Sequence, residues 1–221
     1  MLRLEFHCHT LYSKDCLTRP NHLLAACRRK GIDRLVVTDH NTLTGALLCK
    51  ELDPQRIIVG EEIMTGSGEL LAAFITEAVP AGLPAREAIA RLRAQGAFIS
   101  VSHPFDELRK GHWTMEALLD IAPLVDAIET FNSRCFTPSA NTQALQFALQ
   151  HHLPGTVGSD AHTLFELGRA TLFLSEFTDA SQFKAALPSA KAETRLSSPW
   201  VHMTSRYAAW VKSRSQHNPR P

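Results

Sequence analysis

The sequence sets histidines and carboxylates in short clusters, each at the end of an apolar run. They are His7-Cys8-His9, Thr38-Asp39-His40-Asn41-Thr42, Gly60-Glu61-Glu62, Ser102-His103-Pro104 and Gly158-Ser159-Asp160-Ala161-His162. Imidazole and carboxylate without thiolate form a donor set suited to zinc, manganese or iron in a hydrolytic site. Side chains alternate along an extended strand, so His7 and His9 point the same way and can hold one metal. Cys8, between them, turns away as a core thiol, and Glu61 beside Glu62 faces away from the ligand side. One His-x-His pair alone is as readily two unrelated surface or core histidines. Core histidines, however, have no reason to recur at five strand ends, whereas parallel barrels build their sites there.

The elements that must position these clusters alternate in type. Apolar runs at 2–6, 34–38, 57–59, 69–75, 98–102, 127–130 and 156–158 read as strands. Amphipathic stretches at 21–30, 44–52, 84–95, 115–121 and 141–151 read as helices, with a short helix expected at 165–169. Pro84 near the start and Gly96 past the end of the third stretch, and Gly31 after the first, are suited to helix termini. Seven strands with interleaved helices in 221 residues predict an α/β protein, a small and largely parallel barrel rather than an open sheet. A composition of 44% hydrophobic and 20% charged residues excludes a disordered, collagen-like or disulfide-scaffold chain. The five cysteines are odd in number and form no Cys-x-x-Cys pair, which with no signal peptide in MLRLEFHCHT predicts a reduced, cytoplasmic protein. No run reaches the ~20 apolar residues that span a bilayer. No glycine-rich phosphate loop or Gly-x-Ser-x-Gly elbow supports an NTPase or a serine hydrolase.

The net charge of +1 conceals an asymmetry. All 22 acidic residues lie at or before Glu193, so 18 basic residues face 22 acidic ones up to position 194, and Arg195, Arg206, Lys212, Arg214 and Arg220 follow. The expected division is a barrel over 1–194 and a basic tail over 195–221. The body lacks the basic excess of a tight non-specific nucleic-acid binder. For the tail, a helix packing Trp200, Tyr207 and Trp210 on the barrel is expected, with a basic clamp for a nucleotide or short nucleic acid as the alternative.

The segments His7-Cys8-His9-Thr10, Ser13-Lys14-Asp15, Thr38-Asp39-His40-Asn41-Thr42, Gly60-Glu61-Glu62-Ile63, Ser102-His103-Pro104-Phe105 and Gly158-Ser159-Asp160-Ala161-His162-Thr163 resemble, in order, the motifs of the PHP (polymerase and histidinol phosphatase) superfamily of metal-dependent phosphoesterases. The resemblance runs from residue 2 to about 175, and Leu167-Gly168-Arg169-Ala170 is similar to the C-terminal portion of stand-alone bacterial members. It implies a distorted (β/α)7 barrel holding two or three divalent ions. By that resemblance His7, His9 and Asp160 bind the first metal and Glu62 bridges it to a second, which His103 joins. Asp15, His40 and His162 hold the third. Where many members supply another histidine to the second metal, this chain carries Glu69. Asp160, His162 and His103 are also the expected catalytic groups. The implied reaction is hydrolysis of a phosphate monoester, nucleotide-like or sugar-like, by metal-bound hydroxide attack on phosphorus.

Arg134 and Lys14 are the candidate phosphate contacts, with Arg109 and His112 weaker ones. Asp39 and Asn41 read as turn or ligand-supporting hydrogen-bonding groups. His22, His151, His152, His202 and His217 read as solvent-facing. Rival readings are a histidinol-phosphate phosphatase, a 3′–5′ exonuclease acting on oligonucleotides, and a non-catalytic, metal-stabilised binding module.

Overall fold

A computed structural model describes residues 1–217, without the side chains of 215–217; Arg220 of the basic tail lies outside the described residues, as does the side chain of His217. The strands are β1 Leu2–Cys8, β2 Arg34–Val37, β3 Ile57–Met64, β4 Glu69–Ala73, β5 Phe98–Val101, β6 Ala127–Asn132, β7 Gly155–Gly158, β8 Ala170–Leu174 and β9 Lys191–Thr194. The helices are α1 Pro20–Lys30, α2 Thr44–Leu52, α3 Ala85–Ala94, α4 Met115–Ile121, α5 Pro138–Gln150, α6 Ala180–Ala186 and α7 Val201–His217. Their local chemistry accounts for several boundaries. Pro20 opens α1, and Gly31 closes it at φ +63°, a left-handed angle that costs glycine no strain. Thr114 caps α4 by accepting the Ala117 N–H, and Asp179 caps α6 by accepting the Gln182 N–H.

The sheet runs β7-β6-β5-β4-β3-β2-β1-β8-β9 and curls into a nearly closed barrel. β8 pairs with only the lower half of β1, Leu2 to Leu4. The upper end of β1 is thus left to meet the chain after β7, where the His9 N–H donates to the Ala161 carbonyl at 2.9 Å. Distorted-barrel architecture is therefore as expected, but the sheet is less parallel than the alternation of elements suggested. β4 is antiparallel to both β3 and β5, and β8 and β9 add antiparallel pairs.

Three further expectations are corrected. The segment 165–169 is a turn, not a helix, because Gly168 reverses it at φ +80°. β3 extends to Met64, carrying Glu61 and Glu62 inside the strand. α7 forms, but Trp200, Tyr207 and Trp210 do not pack: they are 72%, 61% and 49% exposed. The helix lies on the barrel through its other face. Arg134 binds the Val201 carbonyl and the Ser205 hydroxyl, and Lys212 binds the Leu11 and Ser13 carbonyls.

Beneath the polar end, Phe6 stacks on Phe183 at 5.4 Å and meets Phe98 edge-on at 5.6 Å, within an apolar plug that includes Leu4, Val36, Leu71 and Val157. Rings of this size bury much apolar area, so one end of the barrel supplies stability and leaves the other free for polar groups. Among the described residues no helix is long and apolar enough to cross a membrane.

Candidate metal centre

Most of the candidate ligands sit where a strand runs out. His7 closes β1 together with His9 just beyond it, His40 follows β2, His103 follows β5 and Asp160 follows β7. Glu62 lies within β3, and Glu69 opens β4. The register of β1 against β2 shifts between Glu5 and Cys8, a bulge that re-aims the strand end. His103 and Asp160 hold φ of +22° and +51°, angles non-glycine residues adopt at a cost, as happens where a site dictates the backbone.

The nine candidate ligands converge. Glu62 is central: its Oε2 lies 3.3 Å from His7 Nε2, 3.4 Å from His9 Nε2 and 3.0 Å from His40 Nδ1, and its Oε1 lies 3.1 Å from His103 Nε2. Asp160 Oδ1 lies 3.2 Å from His9 Nε2 and 3.6 Å from His7 Nε2. Glu69 Oε2 is 3.4 Å from His103 Nε2. Asp15 stands between His40, at 3.6 Å, and His162, at 3.3 Å. Three groups of donor atoms lie within 4.8 Å of one another: His7/His9/Glu62, His40/Glu62/Glu69 and His9/His40/His162.

Four of the atoms aimed at the middle of this cluster make no hydrogen bond. Glu62 Oε2, Asp160 Oδ1, Asp15 Oδ1 and His162 Nε2 are buried with no partner. Buried carboxylate oxygens without donors are costly unless a cation satisfies them, so the donor set fits divalent ions. The electrostatics agree. Burial works against an ionised Glu62, yet His7, His40 and the His103 hydrogen bond hold it well below the usual carboxylate range. Burial, together with neighbouring His162 and His40, pushes His9 well down, leaving it neutral and able to ligate. Burial and the charge of Glu62 push Glu69 up, the response of a carboxylate crowded by another.

A layer of polar groups fixes the ligands. The Glu129 carboxylate accepts from His7 Nδ1 at 2.8 Å, so the Nε2 lone pair of His7 faces the centre. Its other oxygen accepts the His103 N–H at 2.9 Å and Asn132 Nδ2 at 3.1 Å. Ser13 Oγ lies 2.9 Å from His9 Nδ1 and donates to Asp39, which also accepts from Thr10. Asp39 is thus hydrogen-bonded behind the candidate ligands, and Asn41 Oδ1 accepts the Met64 N–H. Glu61 points away and accepts the Val79 N–H, and Cys8 is buried against the Val36 carbonyl. Glu129 was not among the sequence candidates. Its one signal was an acid inside the apolar stretch 127–130.

The cluster opens into a cleft of about 300 Å³. A larger cleft, about 720 Å³, lies elsewhere, between Phe105, Trp113 and α5; it contains none of the nine ligands, and His112 lines it instead of the metal centre. Lys14, Lys110 and Arg206 stand at the ligand-bearing cleft with Arg109 and Arg134. Arg109 Nη1 reaches Asp160 Oδ2 at 2.6 Å, and Arg134 Nε lies 3.0 Å from Glu166. Arg134 is therefore buried and anchored, whereas Lys14 is exposed. His202, expected in solvent, is half-buried at the same cleft with its ring stacked on Phe136 at 3.9 Å. Hydropathy does not bring it there, because α7 is held to the barrel by polar contacts of Arg134 and Lys212.

Comparison with known proteins adds a lineage. The PHP domain family model matches residues 5–89, and the PHP-associated model matches residues 138–191. An uncharacterized protein of Methanocaldococcus jannaschii is 37% identical over 179 residues, 79% of this chain and 71% of that protein. A solved two-domain protein from Bacteroides vulgatus, containing a predicted PHP-like metal-dependent phosphoesterase, is 22% identical with a TM-score of 0.69. The match covers 88% of this chain but 65% of that structure's length. The lesion-specific endonuclease PfuEndoQ of Pyrococcus furiosus aligns with a TM-score of 0.57 and 16% identity, over 86% of this chain and 57% of its own.

Proposed function

Because the chain belongs to the PHP family, we propose that it is a metal-dependent phosphoesterase hydrolysing a phosphate monoester of a small nucleotide-like or sugar-like molecule. The observation that carries this reading is a layered charge pattern: nine ligand-type side chains lie beneath a cleft that Lys14, Lys110 and Arg206 ring with positive charge. Two or three divalent ions, Zn, Mn or Fe, suit the donors. His7, His9 and Asp160 with Glu62 would hold the first, Glu62, Glu69 and His103 the second, and Asp15, His40 and His162 the third. When bound, the ions supply Lewis acidity toward phosphoryl oxygens and lower the pKa of water.

The remaining work falls to the chain. The basic rim draws in a phosphorylated anion and raises its local concentration. Arg134 and Lys14 are the proposed phosphate contacts, the first held rigid by Glu166 and α7, the second free to close on the ester. Arg109 fixes the Asp160 carboxylate, so that this ligand presents one oxygen inward. Asp160, His162 and His103 are the groups whose loss should abolish turnover. Five unpaired thiols suit the reducing cytoplasm.

Elemental analysis of purified protein, joined to a phosphate-release screen over nucleotides, sugar phosphates, histidinol phosphate and short oligonucleotides, tests the proposal. Bound metal with release from a small monoester, abolished in His7→Ala while the fold persists, is expected. Release confined to histidinol phosphate or to oligonucleotide ends would select a histidinol-phosphate phosphatase or a 3′–5′ exonuclease instead. Metal binding with no release would overturn catalysis in favour of a binding module.

A further inference from the structure

Helix α7 is inverted relative to an ordinary surface helix. Its inner face carries Val201, Ser205, Ala208 and Lys212, and its outer face carries Met203, Tyr207 and Trp210 at spacings of three and four residues, with Trp200 in the turn just before it. Large rings are thus presented to solvent, with Trp200 the most exposed. The Tyr207 and Trp210 ring centroids lie 5.9 Å apart, and Arg214 sits over the Trp210 ring at 4.2 Å. A row at i, i+4 spacing connects this face to the cleft. His202 and Arg206 line the cleft, and Trp210 and Arg214 continue the row outward, each step rising about 6 Å along the helix. No acidic residue follows Glu193, so the helix adds basic and aromatic side chains to this face and no negative charge.

We propose that the outer face of α7, continuous with the cleft through Arg206 and the His202–Phe136 stack, is a binding track for a single-stranded nucleic acid whose end enters the cleft. Bases stack on exposed rings regardless of sequence, and interspersed arginines neutralise the phosphates between them. The inference builds on the phosphoesterase reading, which supplies the chemistry at the track's end. Charge argues against a second copy as the occupant, because pairing two helices without one acidic residue brings like charges together. Shape argues against a lipid surface, because His202 and Arg206 of the same row turn into a cleft that a flat bilayer cannot enter.

The full chain, stripped of metal with EDTA to prevent cleavage, is titrated into a short fluorescein-labelled oligothymidylate. Anisotropy and the quenching of tryptophan emission are followed together. Binding that weakens with salt is expected, and Tyr207→Ala and Trp210→Ala should each weaken it about fivefold to a hundredfold. Both variants, read with metal restored, should release phosphate from p-nitrophenyl phosphate at the wild-type rate, because neither ring lines the cleft. Equal oligonucleotide affinity in wild type and variants overturns the proposal. So does retention of the wild type, but not of Trp210→Ala, on phosphatidylserine vesicles without oligonucleotide binding, or a dimer in sedimentation that Trp210→Ala dissolves. Oligonucleotide binding by a chain that hydrolyses no ester would leave the track standing and remove the phosphoesterase reading.

Discussion

Glu129→Gln isolates the support of the metal centre from its ligands. The substitution keeps shape and volume but turns one acceptor into a donor, and Glu129 has no acceptor to spare. One oxygen takes His7 Nδ1 at 2.8 Å and the other takes the His103 N–H and Asn132 Nδ2. If the new amide oxygen faces His7, its NH2 confronts two buried donors, each of which then costs about 1–3 kcal/mol. If the NH2 faces His7, Nδ1 must accept and the imidazole proton moves to Nε2, the atom aimed at Glu62 and Asp160. Either way a ligand is misdirected, and loss of such a support typically lowers metal affinity 10–100-fold, about 1.4–2.7 kcal/mol. The metal-free variant should fold but melt lower than wild type, since a disrupted buried polar network costs stability while the apolar plug beneath it is untouched. Calorimetric titration of Mn²⁺ into chelator-stripped wild type and variant, with thermal melts of the metal-free forms, reads both quantities. Wild-type affinity for every ion in Glu129→Gln would refute the reasoning.

Glu69→Gln should lose about one metal ion per chain by elemental analysis; full retention with normal activity would remove Glu69 from the ligand set. Arg134→Lys keeps the charge but cannot reach Glu166, Val201 and Ser205 at once, so KM for the phosphate ester should rise roughly tenfold. An unchanged KM would remove Arg134 from the site. Burial, helped by Arg134 and Arg109, pushes His202 down to about 4, below its unfolded value near 6.5. A detached or unfolded α7 therefore binds the proton more readily, and the stability tied to neutral His202 is present above about 6.5 and lost as pH falls toward 4. Protection of the α7 amides, corrected for the intrinsic pH dependence of exchange, should fall across that window in wild type and stay flat in His202→Gln, and a wild type without that fall would count against it.

The clustering of these side chains was legible because polar residues that interrupt apolar runs at strand ends leave a mark no packing argument supplies. The barrel followed from the alternation of those runs with helices. Glu129 escaped because one acid within a short strand also reads as a solvent-facing position, and only the closed sheet turns it inward against His7. β9 escaped for the opposite reason: all four of its residues are exposed, so no apolar pattern announces it. In α7 the pattern itself misled. Aromatic residues at helical spacing ordinarily mark the buried face, but here the anchors are Arg134 and Lys212 bound to backbone carbonyls, contacts that carry no signal in hydropathy.

The direction of β4 decides the character of the centre. A parallel strand would start at the opposite end of the barrel, where Phe6, Phe98 and Phe183 pack and where a carboxylate would find no partner. The reversal at Thr65-Gly66-Ser67-Gly68 instead brings Glu69 opposite Met64, at the same end as His40 and His103. The turn is tight: a Cβ on Gly68 would sit 2.3 Å from the Trp113 ring. Trp113 in turn donates its indole N–H to the Glu69 carbonyl, and the Glu69 N–H donates to the Gly111 carbonyl. A side chain at Gly111 would overlap the Glu69 carboxylate, so the loop closes on the ligand with no room to spare. That loop also carries Arg109 and Lys110 to the cleft. One antiparallel strand thus ties a candidate metal ligand and the cations at the cleft to a single rigid contact, so a change at Glu69 or Gly111 should move metal affinity and anion affinity together.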